Sequence, residues 1–160
     1  ADDECDGLDQ NCNGTVDDGF SDPNEPNDSW TFGDFTALNY LGRLDEDDYL
    51  IEFENYHSAT SDVDTFVFFS DDGIGWDFDF TINLWDVPAT LDLAMSVEGF
   101  DEQGVSMGVV ATATSNGPGT DLELTYEGGT TGSDTGYYVL TITGVGSECS
   151  IPYQIKIEDT

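Results

Sequence analysis

Oxygen-bearing side chains recur at alternate positions near the start of the chain: Asp9, Asn11 and Asn13, followed at once by Gly14. This is the D-x-[DN]-x-[DN]-G opening of a calcium-binding loop. A hard divalent cation of that size takes about six to eight oxygens at roughly 2.3–2.6 Å, and alternate side chains on a curling backbone converge on one point. Gly14 allows the sharp turn, the Thr15 carbonyl can face inward, and Val16 can pack beneath the loop. Phe20 stands where an EF-hand carries its bidentate Glu, so Asp17 and Asp18 would have to close the shell. No helical pattern flanks the stretch. Cys5 and Cys12 bracket its first half, and a disulfide between them, with Cys149 outside it, would fasten a segment too short for a core of its own. An Asx-rich turn without metal is the plainer alternative, and the oxygen spacing favours the ion.

Composition raises the same question of which cations accompany the chain. In 160 residues, 35 Asp and Glu face two basic residues, Arg43 and Lys156, for a formal charge of −33. A body of this size has a radius of gyration of roughly 15 Å, and so many like charges weaken its compact state. Bound divalent ions, high salt, or both would offset that repulsion. The solvated acidic surface of a halophile explains the total, but not the gathering of acids and Asn beside turn glycines. The sign of the charge excludes nucleic acid and anionic membranes as partners. No apolar run approaches the roughly 18 residues a membrane helix needs, so no membrane insertion is expected. Three cysteines in a short acidic chain suggest an oxidising compartment. With Cys5 and Cys12 paired, Cys149 is odd, either buried and inert or able to capture one of the others. The chain opens at Ala1 without a basic or apolar leader. That reads as mature protein after signal cleavage, and predicts a secreted, extracellular or cell-surface location.

Catalytic constellations are missing. There is no G-x-S-x-G, H-E-x-x-H or P-loop. His57, the single histidine, sits between Tyr56 and Ser58 at a predicted strand end; with no second histidine or nearby thiolate it is expected to be structural or at the surface. Asp134-Thr135-Gly136 matches the triplet of aspartic proteases, whose dyad needs two such loops; here it precedes an aromatic strand and reads as a turn. No enzyme is expected.

The elements that must hold the acidic residues are strands. Leu91, Leu93, Met95 and Val97 alternate with Asp92, Ala94, Ser96 and Glu98; Phe78, Phe80, Ile82 and Leu84 alternate with Asp79, Thr81 and Asn83. Leu122, Leu124 and Tyr126, and then Ile151, Tyr153, Ile155 and Ile157, keep the same period of two, which marks half-buried strands. The denser runs 65–69 and 137–142 read as central. Runs at 37–41, 49–53 and 107–113 bring the candidates to about nine. Gly-rich turns such as Asn116-Gly117-Pro118-Gly119 and Gly144-Val145-Gly146 punctuate them. Short strands with regular turns predict an all-β, antiparallel, jelly-roll-like β-sandwich over residues 22–160, preceded by a disulfide-stapled metal-binding loop over residues 1–21. Two prolines, Pro23 and Pro26, keep the connector between them extended.

Two family resemblances extend these readings. Cys5-Asp6-Gly7 through Asp17-Asp18-Gly19 matches every fixed position of C-D-G-x-D-x-x-C-x-G-x-x-D-[DE]-G, and so resembles the short metal-binding motif of secreted bacterial proteins known as the MopE-type repeat. That family's name carries a copper association, but the loop has no His or Met and its oxygens suit Ca²⁺. Glu25-Pro26-Asn27-Asp28-Ser29, Gly42 through Leu50, Leu91-Asp92-Leu93, Thr135 through Leu140, and Tyr153 through Ile157 together look like a bacterial pre-peptidase C-terminal domain. That family comprises β-sandwiches appended to secreted proteases and surface proteins, the collagen-binding modules of clostridial collagenases among them. In its calcium-binding members an E-x-N-D segment and a D-x-x-D pair share the metal. The resemblance therefore implies Glu25, Asn27 and Asp28 with Asp45 and Asp48. Asp62 and Asp64, in a D-x-D-x-F form found in many members, compete for the same place, and the sequence leaves the two pairs open.

These readings predict a non-catalytic secreted protein holding Ca²⁺, two or more ions, with a structural or adhesive role at the cell surface or in an extracellular filament or matrix. Calcium would rigidify the chain and bridge subunits into a homo-oligomer or filament. The alternative is a polymer-binding accessory module of a secreted hydrolase, its partner an insoluble polymer such as collagen or a glycan. Its expected sign is a coplanar row of exposed aromatics, with Trp30, Trp76 and Trp85 as candidates; Trp85, lying in a strand, is expected in the core.

Overall fold

The structure is a computed structural model, and it describes residue 12 and residues 23–35, 39–45, 50–58, 61–71, 78–129 and 135–160. Asp9, Asn11, Asn13, Thr15, Asp17, Asp18 and the boundary between residues 21 and 22 lie outside the described residues. Nine strands form among those described: β1 (Tyr40–Leu44), β2 (Leu50–His57), β3 (Val63–Ser70), β4 (Phe80–Trp85), β5 (Asp92–Asp101), β6 (Ser106–Thr114), β7 (Leu122–Tyr126), β8 (Gly136–Val145) and β9 (Glu148–Asp159). They make a five-stranded sheet, β1-β3-β8-β5-β6, and a four-stranded sheet, β2-β9-β4-β7.

The period of two decides what each strand buries. β5 turns Leu93, Met95 and Val97 inward; β4 does the same with Phe80, Ile82 and Leu84, and β9 with Tyr153, Ile155 and Ile157. Joined by Phe66 and Phe68 of β3 and Tyr138, Leu140 and Ile142 of β8, they form one core between the sheets. Each such side chain contributes about 1.5–3 kcal/mol by leaving water. Phe68 and Phe80 meet edge-on across the sheets, ring centroids 5.3 Å apart, a favoured aromatic geometry.

Two expectations need correcting. The sandwich is not wholly antiparallel, because β1 pairs with β3 in parallel: the chain crosses to the other sheet for β2 and returns to lay β3 beside β1 in the same direction. The Cys5–Cys12 staple is also not formed. Cys12 is a thiol at the surface, whereas Cys149 at the head of β9 is disulfide-bonded. Its partner lies outside the described residues.

The connector before β1 is held along the start of β3, ahead of the stretch that β1 pairs. The Thr65 amide donates to the Asn27 carbonyl at 2.9 Å and the Val67 amide to the Asn39 carbonyl at 2.8 Å. Asn39, buried, clasps both sides: its Nδ2 donates to the Thr65 carbonyl at 2.9 Å and reaches the Asn27 carbonyl at 3.5 Å. Glu25 through Asp28 are thereby fixed at the end of the sandwich where β2 finishes and β3 begins.

Candidate metal centre

Of the two acid pairs, the fold brings Asp62 and Asp64 to the connector. Thr65 is bonded to Asn27, so the residues just before it in β3 face Glu25-Pro26-Asn27-Asp28. Ligand atoms of Glu25, Asp28 and Asp62 lie within 4.8 Å of one another. Asp64 is fully buried, and Asn27 Nδ2 donates to its Oδ1 at 3.2 Å. Asp45 instead pairs with Arg43, whose Nε is 2.6 Å from its Oδ2, and Arg43 also pairs with Asp71. Asp48 lies outside the described residues.

Glu25, Asp62 and Asp64 are oriented by local donors. The Ser58 amide and hydroxyl donate to Asp62 Oδ2 at 2.6 and 3.1 Å, closing the β2–β3 turn over that carboxylate. The Asn27 amide donates to Glu25 Oε2 at 2.9 Å. Behind them runs a directed chain of hydrogen bonds: Asn24 Nδ2 to Asn55 Oδ1 at 2.7 Å, Asn55 Nδ2 to the Tyr153 hydroxyl at 2.8 Å, and that hydroxyl to Asp64 Oδ2 at 3.3 Å. Asn55 and Tyr153 can meet because β2 and β9 pair them directly. Burial, and then the neighbouring Asp64, push the Tyr153 hydroxyl well above its ordinary pKa of 10.0, so it stays a donor.

Charge is what the cluster lacks. Arg43 and Lys156 are the only Arg and Lys in the chain; Arg43 serves Asp45 and Asp71, and Lys156 serves Glu158. Among the described residues, Glu25, Asp28, Asp62 and Asp64 have no Arg or Lys partner. At separations of no more than 4.8 Å and an effective dielectric of about 20, two ionised carboxylates repel by at least about 3 kcal/mol. Glu25 records the strain: burial foremost, then the charges of Asp28, Asp62 and Asp64, raise its pKa from 4.5 to about 7, against the opposing pull of the Asn27 amide. Asn27 Oδ1 is buried and without a hydrogen-bond partner, an oxygen left over in a place that already gathers oxygens. A hard, oxygen-seeking cation fits this donor set.

His57 was not expected here. It ends β2 fully buried, its Nδ1 3.8 Å from Asp64 Oδ2, with neither ring nitrogen hydrogen-bonded. Asn55 and Tyr153 were likewise unforeseen as supports. The only sequence signal was their alternation along β2 and β9.

The aromatic candidates are dispersed. Trp85 is 39% exposed rather than in the core, because the alternation that buries Phe80, Ile82 and Leu84 turns it outward. Trp30 packs on the other sheet, against Phe100 of β5 at 5.3 Å and beside Phe32 and Phe35. Trp76 lies outside the described residues.

No known family profile and no curated protein matches the chain, so neither family resemblance read from the motifs is supported in that way. Among solved structures the chain is similar to CorA of Methylomicrobium album BG8, described as a surface-associated copper-binding protein important in copper acquisition. The identity is 9%, the match covers 76% of this chain and 98% of that one, and the TM-score is 0.40. The likeness carries neither a residue nor a ligand over to this chain.

Proposed function

We propose that this chain is a non-catalytic, secreted β-sandwich that binds calcium through Glu25, Asn27, Asp28 and Asp62, with Asp64 behind them, and that the ion clamps the connector to the sandwich in a structural or adhesive protein of the cell exterior. The observation that carries the reading is the convergence of Glu25, Asp28 and Asp62 within 4.8 Å in a cluster that no Arg or Lys neutralises. The disulfide at Cys149 fits an oxidising compartment. The expected stoichiometry includes the N-terminal loop as a separate site. Calorimetric titration is the test. Asp62→Asn should abolish one class of calcium site and leave the other, and Asp45→Asn should change neither. Identical isotherms for wild type and Asp62→Asn would sink the reading.

Assembly into an oligomer or filament rests on the same charge argument. Chains of −33 approach one another only when something between them neutralises charge at contact, because ordinary salt screens over about 8 Å. Light scattering in chelator at constant ionic strength should show dissociation. Polymer binding is favoured less: Trp30 and Phe32 stand at 87° to each other and Phe32 and Phe35 at 81°, which is not a flat platform.

A further inference from the structure

We propose a second metal site beside the calcium site, formed by His57, Asp62 and Asp64 and selective for a transition-metal ion of the zinc class. Asp62 is common to both. Ligand atoms of these three buried residues lie within 4.8 Å of one another. The independent observation is His57 itself, at 0% exposure with both ring nitrogens lacking a hydrogen-bond partner. Leaving a buried polar group unsatisfied costs about 1–3 kcal/mol, yet this imidazole sits beside the carboxylates of Asp62 and Asp64. The 3.8 Å between Nδ1 and Asp64 Oδ2 is too long for a hydrogen bond. Two ligands bound tetrahedrally at about 2.0–2.1 Å stand roughly 3.4 Å apart, so a small adjustment seats an ion between them.

The surrounding donors agree. A ligating carboxylate is commonly held by outer hydrogen bonds that fix its direction. Asp64 has two, from Asn27 Nδ2 at 3.2 Å and the Tyr153 hydroxyl at 3.3 Å, and Asp62 has two from Ser58. Imidazole separates this site from its neighbour, since calcium takes oxygen while zinc and its row accept nitrogen readily. Two divalent ions would also balance the formal charge of the four carboxylates Glu25, Asp28, Asp62 and Asp64.

The test uses the full chain without a histidine tag, Cys12 alkylated, stripped with chelator and then saturated with Ca²⁺. Co²⁺ serves as the optical probe and Zn²⁺ as competitor. The expected result is a single equivalent of Co²⁺ with the intense visible bands of low coordination, displaced by Zn²⁺ but not by Ca²⁺. X-ray absorption of the zinc-loaded wild type should show one imidazole ligand at about 2.0 Å, and with one histidine in the chain that ligand can only be His57. His57→Gln should weaken Co²⁺ at least tenfold and leave calcium binding in place; Glu25→Gln should do the reverse. Displacement of Co²⁺ by Ca²⁺, or a zinc spectrum with oxygen ligands alone, would overturn the proposal even if the histidine variant did not fold. Calcium binding without imidazole ligation removes this site and spares the calcium reading; imidazole-bound zinc without calcium binding does the opposite.

Discussion

Asp45 follows β1 and Asp64 lies in β3 of the same five-stranded sheet, yet the two acids have opposite surroundings. Asp45 has an in-built cation, Arg43 at 2.6 Å, which is shared with Asp71 and open to water. Asp64 is fully buried, with three acids close by and no Arg or Lys. A pair at the surface is dispensable because water screens whatever is left behind. A buried carboxylate must be supplied with charge or hydrogen bonds. The contrast shows how a chain with two basic residues places one on the exterior and leaves its buried acids without one.

The sharpest way to break the contrast is to remove each acid in turn. With calcium present, Asp64→Ala strands two buried donors, Asn27 Nδ2 and the Tyr153 hydroxyl, and should cost about 2–6 kcal/mol in urea unfolding, at roughly 1–3 kcal/mol per unsatisfied group. Asp45→Ala should cost less than about 1 kcal/mol. Equal losses would mean that the two acids are neutralised alike.

Removing the ion comes next in size. Calcium at a hundredfold excess over Kd should raise stability by about 2.7 kcal/mol. The increment should shrink in Asp62→Asn and persist in Arg43→Ala. An increment that Arg43→Ala abolishes would relocate the site to the surface pair.

The smallest effect is in pH. In the chelated protein Glu25 has a pKa of about 7, above its ordinary 4.5, so between those values the folded state binds more protons than the unfolded state. Stability therefore falls as pH rises through that window. Glu25→Gln should flatten the fall, seen as the difference between the two proteins' melting profiles. Saturating calcium should suppress it too, because the ion stabilises the ionised form. A difference that rises with pH in the absence of metal would contradict the crowding of Glu25 by Asp28, Asp62 and Asp64.

Much of the fold was legible because it is written in a local code. The alternations at 78–84, 91–97, 122–126 and 151–157 correspond to β4, β5, β7 and β9. The same code, followed through, places Trp85 outside, and its assignment to the core ignored the period that identified its strand. The site was legible by residue type but not by partner. Choosing between Asp45/Asp48 and Asp62/Asp64 depends on the hydrogen bond from Thr65 to Asn27, a contact across a sheet edge that no spacing announces. His57 was set aside because no second histidine lay near it in sequence, whereas its significance comes from burial among acids. Nor does spacing announce that Cys149 is the cysteine in a disulfide.

The Asn27 and Asn39 carbonyls bond to Thr65 and Val67, two rungs apart on β3, so the segment between them leaves and rejoins the sheet at nearly one point. Its aromatics, Trp30, Phe32 and Phe35, rest against Phe100 and Tyr137, and its first residue, Asp28, belongs to the acid cluster. Such an arrangement would be a thermodynamic lever, with the acid cluster at one end and an aromatic surface at the other. By reciprocity of linkage, whatever the ion does to the ordering of that segment, a ligand on the aromatics must do to the affinity for the ion. If the proposed ion binds there, the aromatic surface of this segment is coupled to that ion's concentration.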